Sequence, residues 1–318
     1  MTGTGTQQDP FVPQDWDDFV SAIGTSAAYV ELPVIPVKTQ DEHIMNGKLY
    51  FDAQGNKISL PEESHLDNYY ENGFTLDANV YAPMGIRLNF NGVTLNGNGA
   101  SIINCYVPDE TCGLRFTSQT TKLKNINFLN FYSESTDYWG FISPNGNCKL
   151  LTENVQFSGF ITRGAFCGTN GSKAFKSTTF SITFGTSASF INNPLNDSDK
   201  YYQFCLFDFY GSPNKLFGNT NGNRILNCKM IGTLKGVANL DYPLFPSDGS
   251  STTNVIDIDV TEYQNVQFNY DNGHSHNPYI INTDKLSTGT TYVGMTGVTT
   301  QQLQDASYLR SIGFPVGD

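Results

Sequence analysis

Short apolar runs that recur at a regular spacing constrain the fold of this chain more than any other feature of its sequence. The clearest runs are KNINFLNF at 124–131, ENVQFSGF at 153–160, STTFSITFG at 177–185, YQFCLFDFYG at 202–211 and RILNCKMIG at 224–232. Aligned, they put Phe128, Phe157, Phe180, Phe204 and Cys228 at equivalent positions, with spacings of 29, 23, 24 and 24 residues. A period of about 20 to 50 residues is the signature of stacked supersecondary units. The sequence therefore predicts a repeat architecture.

The length and pattern of the repeat decide between the kinds of stack. No run carries an apolar stripe of period 3.6, which excludes a helical solenoid, and a propeller blade needs about 40 residues. A coil of a parallel β-helix needs only about 20 to 30, and each strand pairs with its equivalent in the next coil about 4.8 Å away. Like residues then stack, so we expect Phe over Phe and Phe over Cys in the core, and Asn over Asn at the corners. The predicted class is all-β, a parallel β-helix.

The two ends of the chain carry short helical patterns. Trp16, Phe19, Val20 and Ile23 lie at i, i+3, i+4 and i+7 ahead of Gly24, which predicts a short amphipathic capping helix before a strand at 28–34. A β-helix has unpaired edges at both ends, and these helices can cover them.

The C-terminal pattern predicts a helical tail. It begins at Thr299 and Thr300, has Leu303, Ala306 and Leu309 on one face, and stops at Gly313 and Pro315.

Four segments follow from these patterns. They are an N-terminal arm, capping helix and first strand at 1–35, an irregular insertion with a hairpin at 36–78, the parallel β-helix at 79–290, and the C-terminal helical tail at 291–318. The arm, Met1–Gln14, is polar, so we expect it to lie along a neighbouring subunit and to become ordered on assembly.

The charge and hydropathy of the chain limit the classes of partner that it can bind. Thirty acidic and 18 basic residues give a net charge of −12 and a pI near 4.6, which disfavours nucleic acid and anionic lipid surfaces. No segment approaches the roughly 18 consecutive apolar residues of a membrane helix. The first residues also lack the basic start and apolar stretch of a signal peptide. We therefore expect a chain that stays in a cytosol, with no membrane insertion.

The cysteines are widely spaced and include no CxxC pair: Cys105, Cys112, Cys148, Cys167, Cys205 and Cys228. This pattern predicts reduced, buried thiols that behave as small hydrophobes. The short spacing from Cys105 to Cys112 leaves a disulfide or part of a metal site open.

Two sets of motifs resemble known families. The order helix, strand, then GIRLNFNGVTLNGNGASI at 85–102 resembles right-handed parallel β-helix proteins of the pectate-lyase-like superfamily. GTGTQQDPF at 3–11, WDDFVSAI at 16–23 and YLRSIGF at 308–314 look like the flanks of GLUG-type repeat proteins on bacterial surfaces and of related bacteriophage virion proteins. The resemblance implies a right-handed β-helix and a role as a virion protein or a bacterial surface adhesin. The missing signal peptide favours the virion protein, assembled in the host cytoplasm.

Many β-helices cleave polysaccharides, so we ask which acidic residues could form a catalytic pair. Asp257 and Asp259 lie two apart on one strand, a spacing that suits a glycosidase pair, although the simpler interpretation puts both on the solvated outer face. His274 and His276 have a spacing compatible with a transition metal, or are two histidines of a turn. Polygalacturonase-like enzymes carry NTD, DD, GHG and RIK in that order, and this chain does not.

These residues favour a non-enzymatic role and leave enzymatic activity open. The predicted function is a bacteriophage virion structural or attachment protein, such as a tail, collar or head-fibre component, that presents a β-helical rod. A polysaccharide-binding or depolymerising β-helix and a bacterial surface adhesin are the alternatives. The expected partners are other virion proteins, further copies of the chain in a homo-oligomer such as a trimer, and cell-surface carbohydrate. No cofactor is predicted.

Overall fold

The fold is a parallel β-solenoid with short helices at its two ends, seen in a computed structural model. The structure describes residues 1–14, 16–32, 79–81, 88–103, 106–107, 112–117, 119–135, 140–144, 148–168, 171–191, 200–213, 216–217, 223–234, 254–264, 266, 268, 279–292 and 294–314. The predicted insertion at 36–78, with its hairpin, lies outside these residues.

Most of the described chain is strand, and every pairing between named strands is parallel. The strands are β1 Tyr29–Glu31, β2 Asn79–Tyr81, β3 Leu88–Phe90, β4 Thr94–Asn96, β5 Ser101–Ile103, β6 Tyr106–Val107, β7 Leu114–Phe116, β8 Thr120–Ser133, β9 Ile142–Pro144, β10 Lys149–Cys167, β11 Ser172–Lys176, β12 Thr179–Ile191, β13 Lys200–Gln203, β14 Leu206–Gly211, β15 Asn223–Ile231, β16 Asn254–Asp259, β17 Tyr279–Asn282 and β18 Thr296–Val298. The helices are α1 Trp16–Gly24, α2 Thr300–Gln304 and α3 Ala306–Ser311.

One ladder runs from β1 through β4, β8, β10, β11, β13, β15, β16 and β17 to β18. Its strands alternate inward and outward side chains, as the pleat requires. The inward residues that lie in register from coil to coil are buried: Val30, Leu95, Leu123, Thr152, Phe175, Tyr202, Ile225, Ile256 and Ile281. We call this the first ladder.

A second ladder contains the stacked phenylalanines. Phe128, Phe157, Phe180 and Phe207 lie in register, with ring centroids 5.2, 5.8 and 5.4 Å apart and interplanar angles of 8, 10 and 7°. All four rings are fully buried. The predicted stacking of Phe over Phe is confirmed.

The predicted alignment is wrong beyond Phe180. Phe207, three residues after Phe204, continues the stack, and Met230 rather than Cys228 follows it. Cys228 lies two residues before Met230, is buried, and is in register with Ile258. Phe over Cys therefore does not occur in this stack.

A corner in the left-handed region separates the two ladders and explains the misplaced Phe204. The corner residues of successive coils have φ between 47 and 55°: Asn125, Asn154, Ser177, Phe204 and Asn227. At this position the side chain points away from the core, which leaves Phe204 53% exposed. The Nδ2 of Asn154 donates to Oδ1 of Asn125 at 2.9 Å, and Nδ2 of Asn125 donates to Oδ1 of Asn96 at 3.0 Å. The predicted stacking of Asn at corners is confirmed.

The N-terminal end is covered by the chain itself. Phe11 forms a parallel bridge with Val30, and its N–H donates to the Tyr29 carbonyl at 2.9 Å. The N-terminal ammonium pairs with Asp18. The arm thus adds a rung below β1 of its own chain, and its expected contact with a neighbouring subunit stays a prediction. It satisfies backbone groups that the first strand would otherwise expose.

Helix α1 covers the first coil beside the arm. Phe19 and Ile23, on its predicted apolar face, are fully buried, and the Asn91 N–H donates to the Ile23 carbonyl at 3.0 Å. The chain then enters β1 at Tyr29, within the predicted strand at 28–34.

The C-terminal tail begins as predicted but divides into two helices. Thr299 caps α2 in a capping box with Gln302, and Asp305 interrupts the helix and caps α3. Leu309 packs with Val298 of β18 in a small apolar cluster. Since β18 pairs with β17, the ladder extends a few residues past the predicted boundary at 290.

Candidate binding groove

A groove lies on the outward side of the first ladder, across β8, β10, β11 and β13. Its volume is about 320 Å³. The residues that line it are Lys122, Leu123, Lys124, Leu151, Thr152, Glu153, Ala174, Lys176 and Tyr201. We call this the outer-face groove.

The strand register places the side chains of the groove in columns. Lys122, Leu151, Ala174 and Tyr201 occupy equivalent outward positions of successive strands, and Arg224 follows Tyr201 on β15. Neighbouring strands are about 4.8 Å apart, so a small side chain between larger ones leaves a depression. Ala174 is that small residue, and with Leu151 it forms an apolar floor between Lys122 and Tyr201.

A second column along the groove carries an ion-pair network. Glu153 lies between Lys124 and Lys176 in register, with Lys124 Nζ 3.0 Å and Lys176 Nζ 2.9 Å from its carboxylate oxygens. Hydrogen bonds from Lys176 and then Lys124 lower the pKa of Glu153. Their side chains are 41 to 50% exposed, so water screens the pairs and each contributes little to stability.

The charge of the groove is opposite to that of the whole chain. Three lysines and one glutamate line it, a formal charge of +2, whereas the chain carries −12. Arg224, exposed and next in the first column, adds a further positive charge at the end. An anion in solution is therefore attracted to this part of an otherwise acidic molecule.

Asp257 and Asp259, the suggested catalytic pair, are both held by contacts within the chain. Asp257 is buried, and it accepts hydrogen bonds from the Asn227 N–H at 2.9 Å and Asn282 Nδ2 at 2.8 Å, with Lys285 Nζ at 2.7 Å. It joins three coils and is buried, so the expected solvated position of Asp257 is wrong. Asp259 is partly buried and accepts from the backbone and hydroxyl of Thr261. These two hydrogen bonds, between residues two apart in the chain, close a turn.

The other sequence candidates are structural or lie outside the described residues. His274, His276 and Cys105 are outside them. Cys112, Cys148, Cys167, Cys205 and Cys228 are buried as expected, and Cys148 donates to the Phe116 carbonyl at 3.3 Å. Among the residues that the structure describes, no group of three or more His, Cys, Asp and Glu is placed to hold a metal ion.

Lys173 and Tyr202 are ionisable residues whose side chains lie buried on the core side of the first ladder. Lys173 is 1% exposed and donates to the Gly171 carbonyl at 3.0 Å, and burial lowers its pKa. Tyr202 is fully buried, and burial raises its pKa well above 10.0. Both lie on the core side of the strands, away from the groove.

A second polar cluster lies on the outward side of the second ladder. Asp208 accepts from the Ser181 hydroxyl at 2.7 Å, and the neighbouring Asp208 carboxylate raises the pKa of Tyr210. Lys229 pairs with Glu262 at 2.8 Å. These groups pair mainly with one another, so they form a surface network.

The sequence analysis missed the groove residues, although the chain contains a signal for them. The segments KLK at 122–124, LTE at 151–153, AFK at 174–176 and YYQ at 201–203 each alternate around an inward residue. The repeat is carried by the inward residues, whereas the groove is lined by the outward residues. Comparing them shows the lysines beside a single glutamate.

Comparison of the chain with protein-family models, with curated proteins and with solved structures found no match. Within the described part of the chain, no helix is both long enough and apolar enough to cross a membrane.

Proposed function

We propose that this chain is a non-enzymatic bacteriophage virion protein, structural or for host attachment, whose β-helical rod binds cell-surface carbohydrate on its outer face. The observation that carries the binding role is the outer-face groove, with an apolar floor of Leu151 and Ala174, the aromatic ring of Tyr201 and charged groups beside them. Sugar rings have apolar faces that pack on aromatic and aliphatic surface, and polar rims that hydrogen-bond.

The non-enzymatic part of the proposal is supported by Asp257. A catalytic carboxylate must reach the scissile bond together with a second one. Asp257 instead accepts hydrogen bonds from two neighbouring coils and pairs with Lys285. Its carboxylate is used to hold the coils together.

The structural part is supported by the construction of the rod. A buried column of aligned rings and a continuous parallel ladder make each coil the template for the next. Such a rod holds its outer face at fixed spacing, which suits display of a binding surface. The virion context is proposed from the resemblance of the flanks at 3–11, 16–23 and 308–314, and a homo-oligomer such as a trimer is part of it.

Four measurements test the proposal. A carbohydrate array with the purified protein is expected to give saturable binding, and incubation with the bound sugar is expected to release no new reducing ends or unsaturated products. Release of product would instead support a depolymerising enzyme. Antibodies against the protein are expected to label phage particles purified from a host culture that expresses this gene, and particles free of the protein would contradict the virion role. Sedimentation equilibrium measures the number of copies.

A further inference from the structure

We infer that the ligand of the outer-face groove is an anionic oligosaccharide, bound through its carboxylate or sulfate groups by Lys122, Lys124, Lys176 and Arg224. This inference rests on the proposed binding function and names its ligand class. The groove combines a strip of positive charge with an apolar floor that ends in an aromatic ring, and an anionic sugar can use both. A neutral sugar would use only the floor.

The position of the lysines favours an extended ligand. Lys122 and Tyr201 are the outermost residues of the first column that line the groove, three strand steps apart, which is about 14 Å at about 4.8 Å per step. Lys124 and Lys176 stand two steps apart in the second column. A ligand in contact with both ends therefore spans several coils along the rod, as a short oligosaccharide does.

Glu153 brings the ammonium groups of Lys124 and Lys176 to one part of the groove. It holds Lys124 and Lys176 through hydrogen bonds of 3.0 and 2.9 Å. Each ammonium has three donors, so one contact to Glu153 leaves others for a ligand carboxylate. The net charge of the lining remains +2, so the glutamate does not cancel the attraction.

The aromatic residue supplies the contact that a simple anion would lack. Tyr201 is partly exposed at the end of the apolar floor, beside Ala174. Its ring can pack on the face of a pyranose while the lysines hold the acidic groups. A free phosphate or sulfate ion would gain no packing contact from the ring of Tyr201 or from Leu151. The groove therefore fits an acidic saccharide better than an inorganic anion.

Calorimetric titration of the full chain with three defined probes tests the inference: an oligogalacturonate, a heparin-derived oligosaccharide and a neutral dextran oligosaccharide. We expect saturable binding of at least one anionic probe, weakened by added salt, and none of dextran. Preference for the oligogalacturonate assigns carboxylate recognition, and preference for the heparin fragment assigns sulfate recognition. Equal binding of dextran would overturn the inference.

Matched variants locate the site. Lys124→Gln with Lys176→Gln is expected to weaken binding about tenfold or more, the effect of losing about 1.4 kcal/mol of charged contacts. Tyr201→Ala is expected to weaken oligosaccharide binding while leaving the salt dependence unchanged. Lys229→Gln removes a lysine of similar exposure outside the groove and is the control. The same loss in the control, or none in the double variant, would overturn the inference, and far-UV circular dichroism checks that each variant is folded.

The outcomes separate this inference from the proposed function. If a neutral sugar on the array binds and the anionic probes do not, the result supports the attachment role and contradicts the anionic ligand. If the anionic probe is cleaved, the non-enzymatic role falls and the ligand class stands. If the lysine variant abolishes self-association in sedimentation, and no probe binds, the groove is an interface between copies and the inference is wrong.

Discussion

The left-handed corner at Asn154 gives the sharpest test of how the coils are joined. Asn154 has φ 55°, and its Nδ2 donates to Oδ1 of Asn125 at 2.9 Å. An L-residue with a Cβ atom pays about 1 to 2 kcal/mol in this region, Asn less than most and Gly almost nothing. A hydrogen bond of this kind contributes about 0.5 to 1.5 kcal/mol net.

Two substitutions separate the terms. Asn154→Ala loses the hydrogen bond and pays the full backbone cost, so we expect a loss of about 2 kcal/mol in the free energy of unfolding. Asn154→Gly loses the hydrogen bond but relieves the backbone, so it is expected to be about 1 kcal/mol more stable than the alanine variant. The order of stability is then the parent chain, the glycine variant and the alanine variant.

Urea denaturation followed by far-UV circular dichroism measures these differences. Ser158→Ala, at an outward strand position of β10, is the control and is expected to change stability by less than about 0.5 kcal/mol. An alanine variant as stable as the glycine variant would refute the reasoning, because it would mean that residue 154 does not adopt the left-handed conformation.

Three further predictions concern buried groups. Phe157→Asp is expected to yield no soluble folded protein, since a charge enters the buried stack, and a soluble variant with the parent melting temperature would refute the inward position. Asp257→Asn is expected to lower the free energy of unfolding by about 1 to 2 kcal/mol in urea denaturation, because the charged contact with Lys285 is lost and Asn has one acceptor oxygen where Asp has two; an unchanged midpoint would contradict this. Because burial lowers the pKa of Lys173 in the folded state, the unfolded chain binds more protons between that pKa and 10.5, so stability is expected to rise with pH in this window. Lys173→Met is expected to reduce that rise in pH-dependent thermal melts, and an identical pH profile would contradict the assignment.

The architecture could be predicted from the sequence because the residues that recur along the chain are also the residues that form the core. Phe128, Phe157 and Phe180 are inward, large and evenly spaced, so their alignment gives the correct register. The alignment failed at Phe204, because a phenylalanine there looks like a core residue although the backbone of that position is left-handed and points outward. Asn and Ser fill this corner in neighbouring coils, and Phe is the exception that the pattern cannot reveal.

The candidate functional residues were harder to predict from the sequence than the fold. Asp257 looked like half of an outward pair, but a shift in register between β15 and β16 turns its carboxylate onto Asn227. The contacts of the arm at 1–14 with Tyr29 and Glu31 could not be predicted, because they are made by backbone groups, which leave no side-chain pattern. The groove arises only when outward residues of several coils are compared, since no single run contains it.

A pair of engineered disulfides tests most directly whether the coils are stacked in parallel and in register. Gln156 is in register with Thr179, and Ser158 with Ser181, all at partly exposed outward positions. Cα atoms about 4.8 Å apart are within the range that a disulfide spans, about 4.4 to 6.8 Å. We expect Gln156→Cys with Thr179→Cys, and separately Ser158→Cys with Ser181→Cys, to cross-link under mild oxidation, detected by peptide mapping. An antiparallel arrangement can bring at most one of the two pairs together, so cross-linking of only one pair, or of neither, would contradict the parallel β-solenoid.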